Sequence, residues 1–252
     1  MIDITTIFVM LTIGMVGGFI SGLVGIGGAI IIYPAILLLP SLFGTHEYTP
    51  YLASGLTSSQ VFFSTMSGSL KAYKKDGFSK KLVLNMGSGM IFGSILGAVL
   101  ANFFNSAFIN FVYIFIALLS LVFMSINIKP TSEHDKFNST LIVIVGIVIG
   151  ILSGIVGAGG AFIIIPVLLV LFKLPMNTVV VNSIVIAFMS SIGTFTIKLF
   201  QGYIPIESAI FLIISGAIFA PLGLKVGNKI PDVIQKWIVS TLIILAIIQL
   251  LF

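Results

Sequence analysis

The sequence predicts an all-α, polytopic membrane protein, and three observations carry that reading. Of 252 residues, 58% are hydrophobic and 8% charged, with a mean hydropathy of +1.26. That leaves too few polar side chains to cover a water-soluble globule of this length. The apolar runs extend past the roughly 18 residues that mark a transmembrane segment, and they lack the period-two alternation of a barrel strand, so the spans are helices. Finally, Gly18 to Pro34 (GFISGLVGIGGAIIIYP) recurs as Gly150 to Pro166 (GILSGIVGAGGAFIIIP) at a constant offset of 132 residues. The chain is therefore two copies of whatever surrounds this stretch.

In order, ten hydrophobic segments are expected at about 4–25, 28–43, 50–70, 82–103, 107–127, 139–157, 160–173, 177–198, 206–226 and 233–251. The opening MIDITTIFVMLTIG has no basic residue ahead of its apolar run, so it reads as the first span and not as a cleaved signal. Segments 2 and 7 are the shortest. Each opens at a Gly-Gly pair and contains a proline, Pro34 or Pro166, which predicts broken or partly spanning helices. Residues 1–128 form the first transmembrane repeat, 129–138 a cytoplasmic linker and 139–252 the second repeat.

The lysines orient the chain. Ten crossings place eleven of the twelve on one side and leave only Lys198 on the other, whereas merging segments 1 with 2 and 6 with 7 splits them eight against four. Loops rich in lysine stay in the cytoplasm. The expected arrangement is thus a multi-pass plasma-membrane protein with ten crossings and both termini outside. Five segments per copy is an odd number, so the second copy enters the bilayer in the opposite sense. The loop carrying KAYKKDGF aligns with the loop carrying KLFQGYIP at an offset of 125, with Gly77 on Gly202. Inverted repeats of this kind build many secondary transporters, which bind substrate at the repeat interface near the midplane.

The glycines divide into two jobs. Gly14, Gly18 and Gly22, their copies Gly146, Gly150 and Gly154, and Gly89, Gly93 and Gly97 in segment 4 recur every fourth residue, the spacing of a smooth face for close helix packing. Gly25, Gly27 and Gly28, with Gly157, Gly159 and Gly160, instead cluster three in four and break the helix. A chain that resumes as helix at Ala29 or Ala161 presents unpaired N–H groups and the positive end of a dipole, which attract anions. The inverted copies would aim two such ends at one central anion. Ser21 and Ser153, Thr57 and Ser58, and Asn182 and Ser183 are candidate donors beside them, with bonding to their own helix carbonyls as the alternative for the two serines of segments 1 and 6.

The remaining chemistry is excluded by what the chain lacks. No cysteine is present, the seven carboxylates lie in loops or at segment ends, and His46 and His134 sit in loops without partner ligands. These absences argue against a buried proton relay, a metal site and an intramembrane enzyme, and no cofactor is expected. They favour an anion over a dication or an amine.

The doubled GxxSGxxGxGGA…P signature, followed in each half by Thr57-Ser58 or Asn182-Ser183 and a short loop with Gly77-Phe78 or Gly202-Tyr203, resembles the TauE/SafE family. This is the family of sulfite exporters and toluene sulfonate uptake permeases. The resemblance covers essentially the whole chain. It implies a plasma-membrane carrier for sulfur-containing anions such as sulfite, a sulfonate or sulfoacetate, working by alternating access, with members that import and members that export. An anion-selective channel with the same pore lining stays open beside it. The expected partners are a small anionic substrate, the lipid bilayer and a coupling ion, H+ or Na+. Assembly as a homo-oligomer stays open, and no nucleic acid is expected.

Overall fold

The computed structural model describes residues 3–25, 28–126, 138–227 and 229–251. Among them run ten α-helices: α1 (Ile4–Val24), α2 (Ala29–Leu42), α3 (Pro50–Ala72), α4 (Lys80–Leu100), α5 (Ser106–Ser125), α6 (Ser139–Val156), α7 (Ala161–Val170), α8 (Met176–Phe200), α9 (Ile206–Gly227) and α10 (Asp232–Leu251). These are the ten expected segments, with ends shifted by a few residues. The expected linker falls almost wholly on residues 129–137, outside the described residues.

Six helices, α1, α4, α5, α6, α8 and α9, are long and apolar enough to cross a membrane. Helix α2, with 14 residues, and α7, with 10, are short of a full span, as the proline-bearing segments predicted. Helix α3 is long enough, but its serines, threonines and Gln60 lower its hydropathy. Those residues are buried: Ser54, Thr57, Ser58, Ser59, Gln60, Ser64 and Thr65 are all fully enclosed. Along the middle of α9 the exposed positions are apolar and repeat every fourth residue, at Ile210, Ile214, Ile218 and Leu222, with the charges of Glu207 and Lys225 at its two ends. Polar residues inside and an apolar stripe outside is the arrangement a lipid solvent selects.

Close approach of the helices depends on the glycine stripes. A methyl group built on Gly14, Gly18 or Gly22 of α1 would lie 2.4 Å from the Leu212 carbonyl oxygen, 2.4 Å from that of Gly216 or 1.8 Å from that of Ala220. The contacts advance together along both helices, so α1 and α9 run parallel. Helices α4 and α6 pair in the same way, through Gly89, Gly93 and Gly97 on one side and Gly146, Gly150 and Gly154 on the other. Between these two pairs lie α3 and α8, antiparallel, with Phe62 stacked on Phe195 and Gly68 against Ile184. The packing maps onto itself when the halves are exchanged: α1 lies on α9 as α6 lies on α4, α3 on α9 as α8 on α4, and α5 on α7 as α10 on α2.

Two of the prolines inside these helices free carbonyls that another helix then satisfies. Pro34 has no N–H, so the Ile30 carbonyl four residues earlier loses its intrahelical donor. The buried Tyr113 hydroxyl of α5 donates to it at 2.5 Å, and the Tyr113 ring stacks on Tyr33. In α9, Pro221 frees the Ala217 carbonyl, which accepts from the Ser67 hydroxyl of α3 at 3.0 Å. Tyr113→Phe keeps the stack but leaves a buried carbonyl unpaired. It is expected to cost about 1–3 kcal/mol, read as a lower Tm of the purified protein in detergent; an unchanged Tm would mean that the Ile30 carbonyl does not depend on this hydroxyl.

Candidate functional site

The two helix breaks form the centre of the molecule. Gly25 and Gly157 end α1 and α6 in the left-handed conformation, at φ +77° and +85°, and donate their N–H groups back to the carbonyls of Ser21 and Ser153 at 2.9 Å. Gly28, Gly159 and Gly160 are also left-handed, at φ +72°, +62° and +70°. A side chain at these positions strains the backbone, which is why the sequence spends glycines here. Gly27 lies outside the described residues.

Each break is seated on the third helix of the other half. A methyl at Gly25 would touch the Val180 carbonyl oxygen of α8 at 2.8 Å, and the Ser183 hydroxyl donates to the Gly25 carbonyl at 3.0 Å. A methyl at Gly157 would lie 2.2 Å from the Ser54 carbonyl oxygen of α3. From these points the chain turns inward. Gly159 reaches Val61 of α3 and Ala187 of α8, both at mid-length of their helices, and Gly28 packs on Gly17, beside Gln60 of α3. Helices α2 and α7 therefore both begin near the middle of the α3–α8 pair, and they touch each other. They leave in opposite directions. The loop after α2 shares a cleft with Asp3 and Glu207 at the starts of α1 and α9, while α7 leads to Asn177, which lines a cleft with Lys74 and Lys75.

Among the described residues no hydrogen bond is made by the N–H groups of Ala29 and Ile30, or of Gly159, Gly160 and Phe162; the first helical bonds are those of Ile31 and Ile32 to Gly28 and of Ile163 and Ile164 to Gly160. Ala161 opens α7 as expected.

The candidate side chains separate into two groups. Ser21 and Thr57 are fully buried, and among the described residues neither hydroxyl has a hydrogen-bond partner. The others are engaged within the protein. Ser58 donates to the Gly55 carbonyl at 2.8 Å and Ser153 to that of Gly150 at 3.0 Å, the helix back-bonding set out above as the alternative for Ser153. Ser183 pins the first break. Asn182 fills its amide completely: Nδ2 donates to the carbonyls of Gly77 and Thr178, and Oδ1 accepts from the Ser79 N–H at 2.8 Å. It ties the loop after α3 to the start of α8.

Sequence reading passed over four buried polar residues of the same two helices. Among the described residues the hydroxyls of Ser54 and Ser190 and the Gln60 Oε1 have no partner, and Lys198, in the last turn of α8, is fully buried with no acceptor for its ammonium. The signal available for the α3 members was the density of hydroxyl and amide side chains in LASGLTSSQ, which no packing role demands of a membrane helix.

Helices of membrane-crossing length around a buried polar centre, entered by two broken helices, define a multi-pass membrane protein of the transporter class. The chain belongs to the TauE/SafE family: the family model described as "Sulfite exporter TauE/SafE" matches residues 10–250. It is similar to the probable membrane transporter protein YunE of Bacillus subtilis, 25% identical over 97% of each chain. It is also similar to the probable membrane transporter protein YdhB of the same organism, 26% identical over 91% of this chain and 92% of that one. A third relative is a probable membrane transporter protein of Methanocaldococcus jannaschii, 24% identical over 96% of this chain and 94% of that one. No solved structure matches the chain.

Proposed function

We propose that this protein is a carrier for a small oxyanion, a sulfur-containing one such as sulfite, a sulfonate or sulfoacetate, which it moves by alternating access. The observation that carries the proposal is the meeting of two helix starts at mid-length of α3 and α8, with unbonded N–H groups, among buried hydroxyls that lack partners. A buried hydroxyl without a partner costs about 1–3 kcal/mol. Oxyanion oxygens would satisfy several such donors at once, and two helix N-termini complement negative charge without any arginine. Thr57, Ser21, Ser54 and Ser190 are the side chains assigned to the anion; Ser183 holds the first break and Asn182 the loop after α3, while Ser58 and Ser153 bond carbonyls of their own helices.

The two halves act as inverted repeats in the plasma membrane with both termini outside. The parallel pairing of α1 with α9 and of α4 with α6 supports this, as does the lysine distribution. A negative cell interior drives anions outward, by about 2.3 kcal/mol per charge per 100 mV. Export can therefore run downhill, whereas import requires coupling to H+ or Na+.

The test is counterflow of labelled sulfite in proteoliposomes. A carrier shows saturation and acceleration by sulfite on the far side, and flux without trans-acceleration would identify a channel instead. Thr57→Val removes only a hydroxyl. Because that hydroxyl has no protein partner, thermal stability without anion should be unchanged or higher, while counterflow falls about tenfold or more, the scale of one hydrogen bond to a charged ligand. Wild-type counterflow in the variant would remove Thr57 from the site.

A further inference from the structure

Lys198 is a fully buried cation whose Nζ has no hydrogen-bond acceptor among the described residues. Nζ lies over the face of Tyr203, 5.4 Å from the ring centroid. A ring face offsets only a small part of what it costs to strip water from an ammonium. The Tyr203 N–H donates to the Lys198 carbonyl, its hydroxyl donates to Asn102 Oδ1 at 3.0 Å, and its ring leans on Tyr51 at a centroid distance of 5.3 Å.

The position of this cation points to a ligand. The Tyr203 carbonyl packs directly on Gly55 of α3, where an added methyl would lie 1.9 Å away. Gly55 is flanked within the same turn by Ser54 and Thr57, both buried with unpartnered hydroxyls. The carbonyl of that same Ser54 seats Gly157, the end of α6 at the second break. A buried cation without an acceptor among the described residues therefore lies, by way of Tyr203, against the Pro50 end of α3, next to one of the two helix breaks. The repeated scaffold does not require the cation: at the offset of 125 that superposes Gly202 on Gly77, the equivalent of Lys198 is Tyr73, half exposed and uncharged.

We propose that Lys198 is the charged residue of a second anion station near the Pro50 end of α3, where its ammonium, at the face of Tyr203, holds a small oxyanion before or after it occupies the central site. This rests on the anion-carrier reading.

Purified full-length protein in gluconate buffer is titrated with sulfite, sulfate and thiosulfate while its thermal transition is followed, since a ligand stabilises the state it binds. Lys198→Met is compared with Lys198→Gln and Lys198→Arg. The expected result is a Tm without anion that is equal or higher in the Met and Gln variants, an anion dissociation constant at least tenfold weaker in both, and one within threefold of wild type for Arg. If wild type responds and the Met and Gln variants bind equally well, Lys198 is not an anion ligand and the carrier reading stands. A lower anion-free Tm in both would mean that the ammonium serves Tyr203 structurally, and the station is overturned. A wild type indifferent to all three anions would overturn the carrier reading and this inference with it.

Discussion

Gly22→Ala is expected to remove most of the protein's stability, about 3 kcal/mol or more, the upper end of what overpacking costs. The new methyl would lie 1.8 Å from the Ala220 carbonyl oxygen and 2.7 Å from the Leu224 nitrogen, and both are backbone atoms that no rotamer change can move. Helices α1 and α9 would have to separate by more than an ångström. The contact is reciprocal, since Gly223 and Gly227 of α9 press equally close on the carbonyls of Phe19 and Leu23. In a bilayer such helices associate through van der Waals contact and not through hydrophobic exclusion, so separating the backbones forfeits the main attraction. Gly44→Ala provides the comparison. Gly44 is left-handed at φ +66° with open space around it, so it carries only the backbone strain of about 1–2 kcal/mol. Thermal unfolding in mild detergent should rank Gly22→Ala well below Gly44→Ala, and equal transitions would refute the packing role.

That prediction rests on a pattern visible in the bare sequence, because small residues every fourth position have few uses in a membrane helix besides close packing. The breaks at Gly25 and Gly157 were equally visible, since three glycines in four residues leave no other local reading. The partners of each element were harder to foresee. Nothing in the sequence says that Gly157 rests on Ser54 or that Asn182 closes the loop at Gly77; such contacts are set by the crossing of helices more than a hundred residues apart. Ser58 and Ser183 look alike in sequence, as members of one repeated motif, yet Ser58 bonds within its own helix and Ser183 reaches across to the Gly25 carbonyl. Lys198 reads as a loop charge in the topology count, because lysine at a helix end normally extends to water. The structure instead encloses it beneath Tyr203, a placement that depends on the third dimension alone.

Gly28→Ala is expected to abolish sulfite counterflow, by at least about a hundredfold per folded molecule, which corresponds to some 2.7 kcal/mol. Two effects act at the same atom. At φ +72° the alanine backbone pays the left-handed strain of about 1–2 kcal/mol, and its methyl would lie 2.3 Å from the Gly17 carbonyl oxygen. Relief of both requires the start of α2 to move away from α1, and with it the unbonded N–H groups of Ala29 and Ile30 leave the middle of the α3–α8 pair. Stability should also fall, by a few kcal/mol, so the readout must separate the two losses. Counterflow is normalised to the monodisperse protein recovered, and Gly44→Ala serves as the reference, since Gly44 is left-handed with open space around it and lies away from both breaks. The expected contrast is that Gly44→Ala keeps near-normal specific activity, whereas molecules surviving Gly28→Ala have almost none. Equal specific activities would mean that the start of α2 orders the fold but does not bind the anion, and the site would then have to lie on α3 and α8 alone.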